Sequence, residues 1–139
     1  MKNRFFLISL FILPLLAWAI PGSAQERPIA FTGATIYPIE QAPIENGVLL
    51  IEGGVITAVG DSKTRIPRNA LISDVSGKVI LPGLAVQHLS LYAAQLLGID
   101  QRVGSLEVGK DADLVLFNGD PFEYTTTVDQ VMIDGQIMK

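Results

Sequence analysis

Cysteine is absent from all 139 residues, and histidine occurs once, as His88. Without thiols the chain has no disulfide framework, thiolate metal site, iron–sulfur centre or cysteine nucleophile. One imidazole cannot make a site that needs two, which covers most zinc hydrolase centres. Basic residues are also scarce: 10 Lys and Arg stand against 14 Asp and Glu, a net charge of -4, and they form no cluster. Phosphate neutralisation supplies most nucleic-acid affinity, so no nucleic-acid partner is expected. What is present is ordinary: 49% apolar residues in about one domain's length. That is enough apolar surface to offset the ordering entropy of a folded chain.

The N-terminus has a three-part pattern. Lys2 and Arg4 are followed by a mostly apolar stretch from Phe5 to Ile20, then by Pro21-Gly22-Ser23-Ala24. A short basic region, an apolar run and small residues predict a secretory signal peptide over 1–24, helical in its apolar part and cleaved after Ala24. A retained membrane anchor is the alternative. It is disfavoured because a span takes about 20 apolar residues and Pro14 interrupts this one. A periplasmic or secreted protein is therefore expected, with no membrane association after cleavage. Removing the leader takes away two cations and no acid, which moves the net charge to -6.

From Ile29 onward, short apolar runs alternate with turn residues. Ile29 to Ile36 is closed by Tyr37-Pro38. Val48 to Glu52 and Val55 to Val59 flank Gly53-Gly54, a pair suited to a tight hairpin. Leu71 to Val75 and Lys78 to Leu81 flank Ser76-Gly77, which reads as a second hairpin. Pro82-Gly83 ends that run. Val86, Leu89, Ala93, Leu96 and Leu97 then recur at helical spacing, predicting a helix over about 85–97 that Gly98 terminates. Strands return at Asp113 to Asn118, Val128 to Ile133 and Gln136 to Met138, the last two joined by Asp134-Gly135. About eight strands and one helix predict a mainly β fold, a small sandwich or barrel.

Two sets of segments carry a family resemblance. The first is Phe31 to Tyr37, Gly47 to Gly60 and Ser76 to Leu84, including Lys78-Val79-Ile80-Leu81-Pro82-Gly83-Leu84. These resemble the N-terminal part of amidohydrolase-superfamily enzymes, with the imidazolonepropionase-like and Xaa-Pro dipeptidase-like branch nearest. The second set is Ala93 to Asp100 with Arg102-Val103-Gly104-Ser105-Leu106-Glu107-Val108-Gly109-Lys110-Asp111-Ala112-Asp113-Leu114-Val115, which resembles their C-terminal part. In that family the two parts form one small β-sandwich, and a catalytic (β/α)8 barrel is inserted between them. The resemblance therefore implies a sandwich from residues 25–84 and 85–139 in which the barrel is missing.

The same resemblance implies metal-dependent hydrolysis of carbon–nitrogen bonds or dipeptides. It requires about four His, a carboxylate and often a carboxylated Lys around a divalent metal such as zinc. At the junction His88 matches the first position of the family's His-x-His, but Ser90 stands where the second His belongs and Val86 where its Asp belongs. Placing Ala85 to Ala94 as the family's last helix fits the apolar spacing better and leaves His88 on the helix surface.

No catalytic, metal-binding or cofactor-binding residue is therefore assigned, and no cofactor is expected in this chain. His88 and Tyr92 lie four apart without a third group to orient them, and Ser90 is off that face. Gly109-Lys110-Asp111-Ala112-Asp113 lacks the ligand spacing of a calcium loop. It reads instead as a turn whose Asp side chains bond local backbone N–H groups, with Lys110 part of that turn. Three readings stand: a truncated amidohydrolase inactive alone, a non-catalytic module partnering a separate barrel chain, or a deletion product without cellular role. The helix residues Leu89, Tyr92, Ala93 and Leu96 are the expected surface for self-association or for that barrel chain.

Overall fold

The computed structural model describes residues 27–83 and 87–138, with helix side chains from Leu91 onward. The expected leader over 1–24, the residues Leu84 to Val86 and the side chains of His88, Leu89 and Ser90 lie outside the described residues. Among the described residues no helix is long and apolar enough to cross a membrane.

The chain is mainly β with one helix, as the residue pattern predicts. In order it forms β1 (Ile29–Ile36), β2 (Ile44–Glu52), β3 (Val55–Gly60), β4 (Leu71–Asp74), β5 (Val79–Pro82), α1 (Gln87–Leu97), β6 (Leu114–Phe117), β7 (Val128–Ile133) and β8 (Gln136–Ile137). The strands share one mixed sheet of order β3-β2-β1-β5-β6-β7-β8, with β4 also paired to β1. β2 begins four residues earlier than its apolar run. The extra length carries Asn46 at φ 49° and pairs with β1 across register shifts, an irregularity the hydrophobic pattern does not register.

The expected hairpin at Ser76-Gly77 is not formed. β4 and β5 both run parallel to β1, through Ile29↔Leu71 to Thr32↔Asp74 and then Thr35↔Val79 to Ile36↔Ile80. The chain kinks between them and keeps its direction. Val75 N–H donates to Thr32 O at 2.9 Å, and Thr35 N–H donates to Lys78 O at 2.9 Å, so both ends of the kink are tied to β1. Within the kink the Asp74 carboxylate accepts from Ser76 N–H at 3.0 Å and Ser76 Oγ at 2.6 Å. Turn chemistry and sheet pairing are both satisfied without a reversal.

The sheet curls until its two ends meet. Both terminal hairpins have the tight turns that their sequences specify, with φ of 59° and 81° at Gly53 and Gly54 and of 49° and 73° at Asp134 and Gly135. A Cβ on Gly135 would lie 2.6 Å from Gly54 Cα, so the two tips pack backbone on backbone. Residues 109–112 close the seam. Ile56 N–H donates to Lys110 O at 2.9 Å, Ala112 N–H to Gly54 O at 2.8 Å, and Gly135 N–H to Ala112 O at 3.2 Å.

One core fills the curled sheet. Phe31, Ile36, Leu49, Ile51, Ile56 and Ile80 precede the helix in sequence; Leu106, Leu114, Leu116 and Met132 follow it, and all are buried together. Each such side chain contributes roughly 1.5–3 kcal/mol. The opposite face of the same strands holds a smaller cluster of Ala30, Leu50 and Ala70, with Ala58 and Ile66 packed against it. β2 is thus covered on both faces, which explains why Val48 to Ile51 is a continuous apolar run and not an alternating one.

Candidate functional site

The end of β5 and the helix α1 border a feature with the shape of a binding site. A cleft of about 230 Å³ lies between them, walled by Gly83, Ala94, Leu97, Val103, Val131 and Ile133. Its walls are mostly apolar because Val131, Met132 and Ile133 of β7 and Ala93, Ala94 and Leu97 of α1 line it. Ala94 on the cleft side of the helix is buried, while Tyr92 is exposed.

Polar groups at the cleft are already engaged. Asp111 accepts from Arg102 Nη2 at 2.5 Å, and Asp113 Oδ1 accepts from Asp134 N–H at 2.9 Å. The expectation of local backbone bonds for these two carboxylates is thus corrected: one meets a side chain nine residues back, the other a hairpin tip 21 residues on. The physical reason is the closed seam, which brings the β7–β8 turn onto residues 111–113.

Lys110 belongs to a buried network that the sequence reading missed. Its Nζ donates to Ser105 Oγ at 2.6 Å, Ser105 Oγ donates to Glu107 Oε2 at 2.8 Å, and Lys110 and Glu107 form an ion pair at 2.8 Å. The Lys110 ammonium, then the Ser105 hydroxyl, hold the Glu107 carboxyl below its ordinary value, outweighing its partial burial. Ser105 is almost wholly buried, with its hydroxyl between the two charges. Each polar group of the trio is bonded to the other two, so it forms a structural clasp and not a nucleophile with a free base. The three residue types within one six-residue turn were the available signal.

The residues weighed for hydrolysis do not assemble a site among those described. α1 places positions 88 and 92 one turn apart, and the His88 and Ser90 side chains lie outside the described residues. Among the described residues no three His, Cys, Asp or Glu groups converge as metal ligands. The donors among the described residues therefore do not fit a hydrolytic divalent metal.

Residues 50–138 match the amidohydrolase family pattern. That is well over half of the chain. The chain belongs to the amidohydrolase family. Among solved structures, the chain is similar to an amidohydrolase from Thermotoga maritima, with 45% identity over 37% of this chain and 13% of that one, TM-score 0.35. It is also similar to a molinate hydrolase at 33% identity, covering 42% of this chain and 13% of the other, TM-score 0.37. A prolidase crystallised with N-methylphosphonate-L-proline matches at 28% identity, covering 40% and 14%, TM-score 0.35. The chain thus spans only about an eighth to a seventh of the length of the structures it matches.

Proposed function

We propose that this chain is the β module of an amidohydrolase, exported by its leader, without a hydrolytic centre of its own. The reading is supported by the single core, to which Leu49, Ile51 and Ile56 contribute from one side of the helix and Leu114, Leu116 and Met132 from the other. The flanks pack on each other directly, so the fold makes no demand for an inserted domain. The reaction implied by the family is water attack on a carbon–nitrogen bond with a divalent metal lowering the pKa of that water. The described side chains offer neither the ligands nor a free base for it.

The test uses the protein in the form its cell retains, with the form established by mass spectrometry. Incubated with zinc or manganese, it should hydrolyse neither cyclic amides nor dipeptides above a metal-only control. Turnover that disappears in His88→Ala would overturn the proposal.

A second reading has its own support. Leu96 and Leu97 are 88% and 71% exposed, an unusual display for adjacent leucines. A separate barrel chain lacking these strands would cover them and draw the module into an active pair. Co-purification with such a chain, encoded nearby, would favour this reading. A barrel chain that already carries its own sandwich would count against it.

A further inference from the structure

Asparagine or aspartate precedes glycine at three places: Asn46-Gly47, Asn118-Gly119 and Asp134-Gly135. With no Cβ beside it, a glycine nitrogen can approach the carbonyl carbon of the preceding side chain, so each pair is chemically open to cyclisation. The fold treats the three differently. Asn46 lies inside β2, and a Cβ on Gly47 would meet Ile36 Cδ1 at 2.6 Å, so ladder and core together hold that backbone. Gly135 N–H is engaged by Ala112 O at 3.2 Å, and the carboxylate before it is a poor electrophile. Asn118 is exposed on the loop after β6, and Gly119 N–H donates to no protein group among the described residues. Thr127 N–H donates to Asn118 Oδ1 at 2.9 Å, and Asn118 N–H donates to Thr127 O at 3.2 Å. We propose that Asn118-Gly119 is a site of self-modification, where the Gly119 nitrogen displaces the side-chain amide of Asn118 as ammonia.

The reaction needs only water. Solvent hydroxide takes the Gly119 amide proton, and the nitrogen attacks Asn118 Cγ, forming a C–N bond and placing negative charge on Oδ1. That oxygen already faces Thr127 N–H, a fixed donor of the kind that stabilises an oxyanion. As the carbonyl re-forms, the Cγ–Nδ2 bond breaks, and the departing nitrogen takes a proton from water and leaves as ammonia. Hydroxide is regenerated and a five-membered imide remains. Water adding at Cγ opens it to aspartate at position 118. Water adding at the backbone carbonyl carbon routes the main chain through the side chain and lengthens it by one methylene. Either product puts a new carboxylate beside Asp120. The lengthened one also changes the spacing of the two bonds that tie residue 118 to Thr127, which loosens the loop carrying the exposed Phe122 and Tyr124. The inference goes beyond the proposed function and does not depend on whether the chain hydrolyses anything else.

Peptide mapping by mass spectrometry after incubation at mildly alkaline pH decides it, with the native protein and the urea-unfolded protein side by side. Urea removes the fold, so the rate of each pair there is its own reference. In the native protein Asn118 should convert at least as fast as in urea. It should also convert at least about tenfold faster than native Asn46, a gap that the barrier equivalent of one hydrogen bond supplies. Both acidic products should appear at position 118. Gly119→Ala should slow conversion at Asn118 severalfold and leave Asn46 unchanged, since its methyl crowds the attacking nitrogen while meeting only Thr126 Oγ1, at 3.2 Å. Native Asn118 converting as slowly as native Asn46, or more slowly than in urea, would overturn the proposal. Conversion that Gly119→Ala leaves untouched would mean direct hydrolysis of the amide and would overturn it equally.

Discussion

Gly33 sits at φ 86° in the middle of β1, where a Cβ would lie 2.2 Å from Ser76 Oγ and 3.1 Å from Ser76 Cα. The glycine lets the β4–β5 kink press against β1. Gly33→Ala therefore adds both strain and a clash with the Ser76 side chain, and should cost about 1–3 kcal/mol, read as a fall in the thermal midpoint. Gly53→Asn is the contrast. At φ 59° and with nothing within 4 Å of its Cβ position, it should change stability little. The sequence identified Gly53-Gly54 because a hairpin tip has a local signature. It did not identify Gly33, whose need for glycine comes from a residue 43 positions away. Glu107 provides a second prediction at this scale. Its folded carboxyl is held below the ordinary value, so its stabilisation is complete above that value and is lost as pH falls through the lowered folded value. Glu107→Gln should be less stable than the parent at neutral pH, and the gap should close in acid. Urea unfolding at a series of pH values measures it. A gap independent of pH would remove the clasp from the account.

β5 and β6 are the elements that hold the two halves of the chain together, with Val79↔Phe117, Ile80↔Leu116 and Pro82↔Leu114 in register. Ile80 and Leu116 are both essentially inaccessible. Ile80→Ala and Leu116→Ala should each cost about 2–5 kcal/mol. Because they are cross-strand partners, their double mutant should depart from additivity by roughly 0.5–3 kcal/mol. A strictly additive cycle would mean that the strands do not share a core. α1 behaves differently, since most of its described side chains face outward. Leu96→Glu should therefore change unfolding free energy by no more than about 0.5 kcal/mol. At this scale the sequence was legible wherever an apolar run ended in Gly-Gly, Asp-Gly or Pro-Gly. It misled at Ser76-Gly77, because the same turn residues serve a kink when both flanking strands bond to a third. The apolar spacing of α1 gave the helix, but could not show that only Ala94 of its described core is deeply buried.

The whole molecule closes through contacts that no local pattern announces: Gly54 on Gly135, Lys110 on Ile56, and Asp113 on Asp134. These join the edges of the sheet and convert eight strands into one enclosed core. The absence of a second imidazole was plain in the sequence, and it is the reason that no metal site was assigned. The clasp of Ser105, Glu107 and Lys110 and the cleft under α1 were not visible, since both depend on how the seam folds back. The central physical claim is that the segments before and after the helix form a single cooperative unit without anything inserted between them. Native-state hydrogen exchange tests it most directly. Amides of Leu50, Val115 and Met132 should open with one shared free energy, equal to that of global unfolding. Exchange of β6 and β7 through a separate, much less stable opening, while β1 to β3 stay protected, would contradict the account.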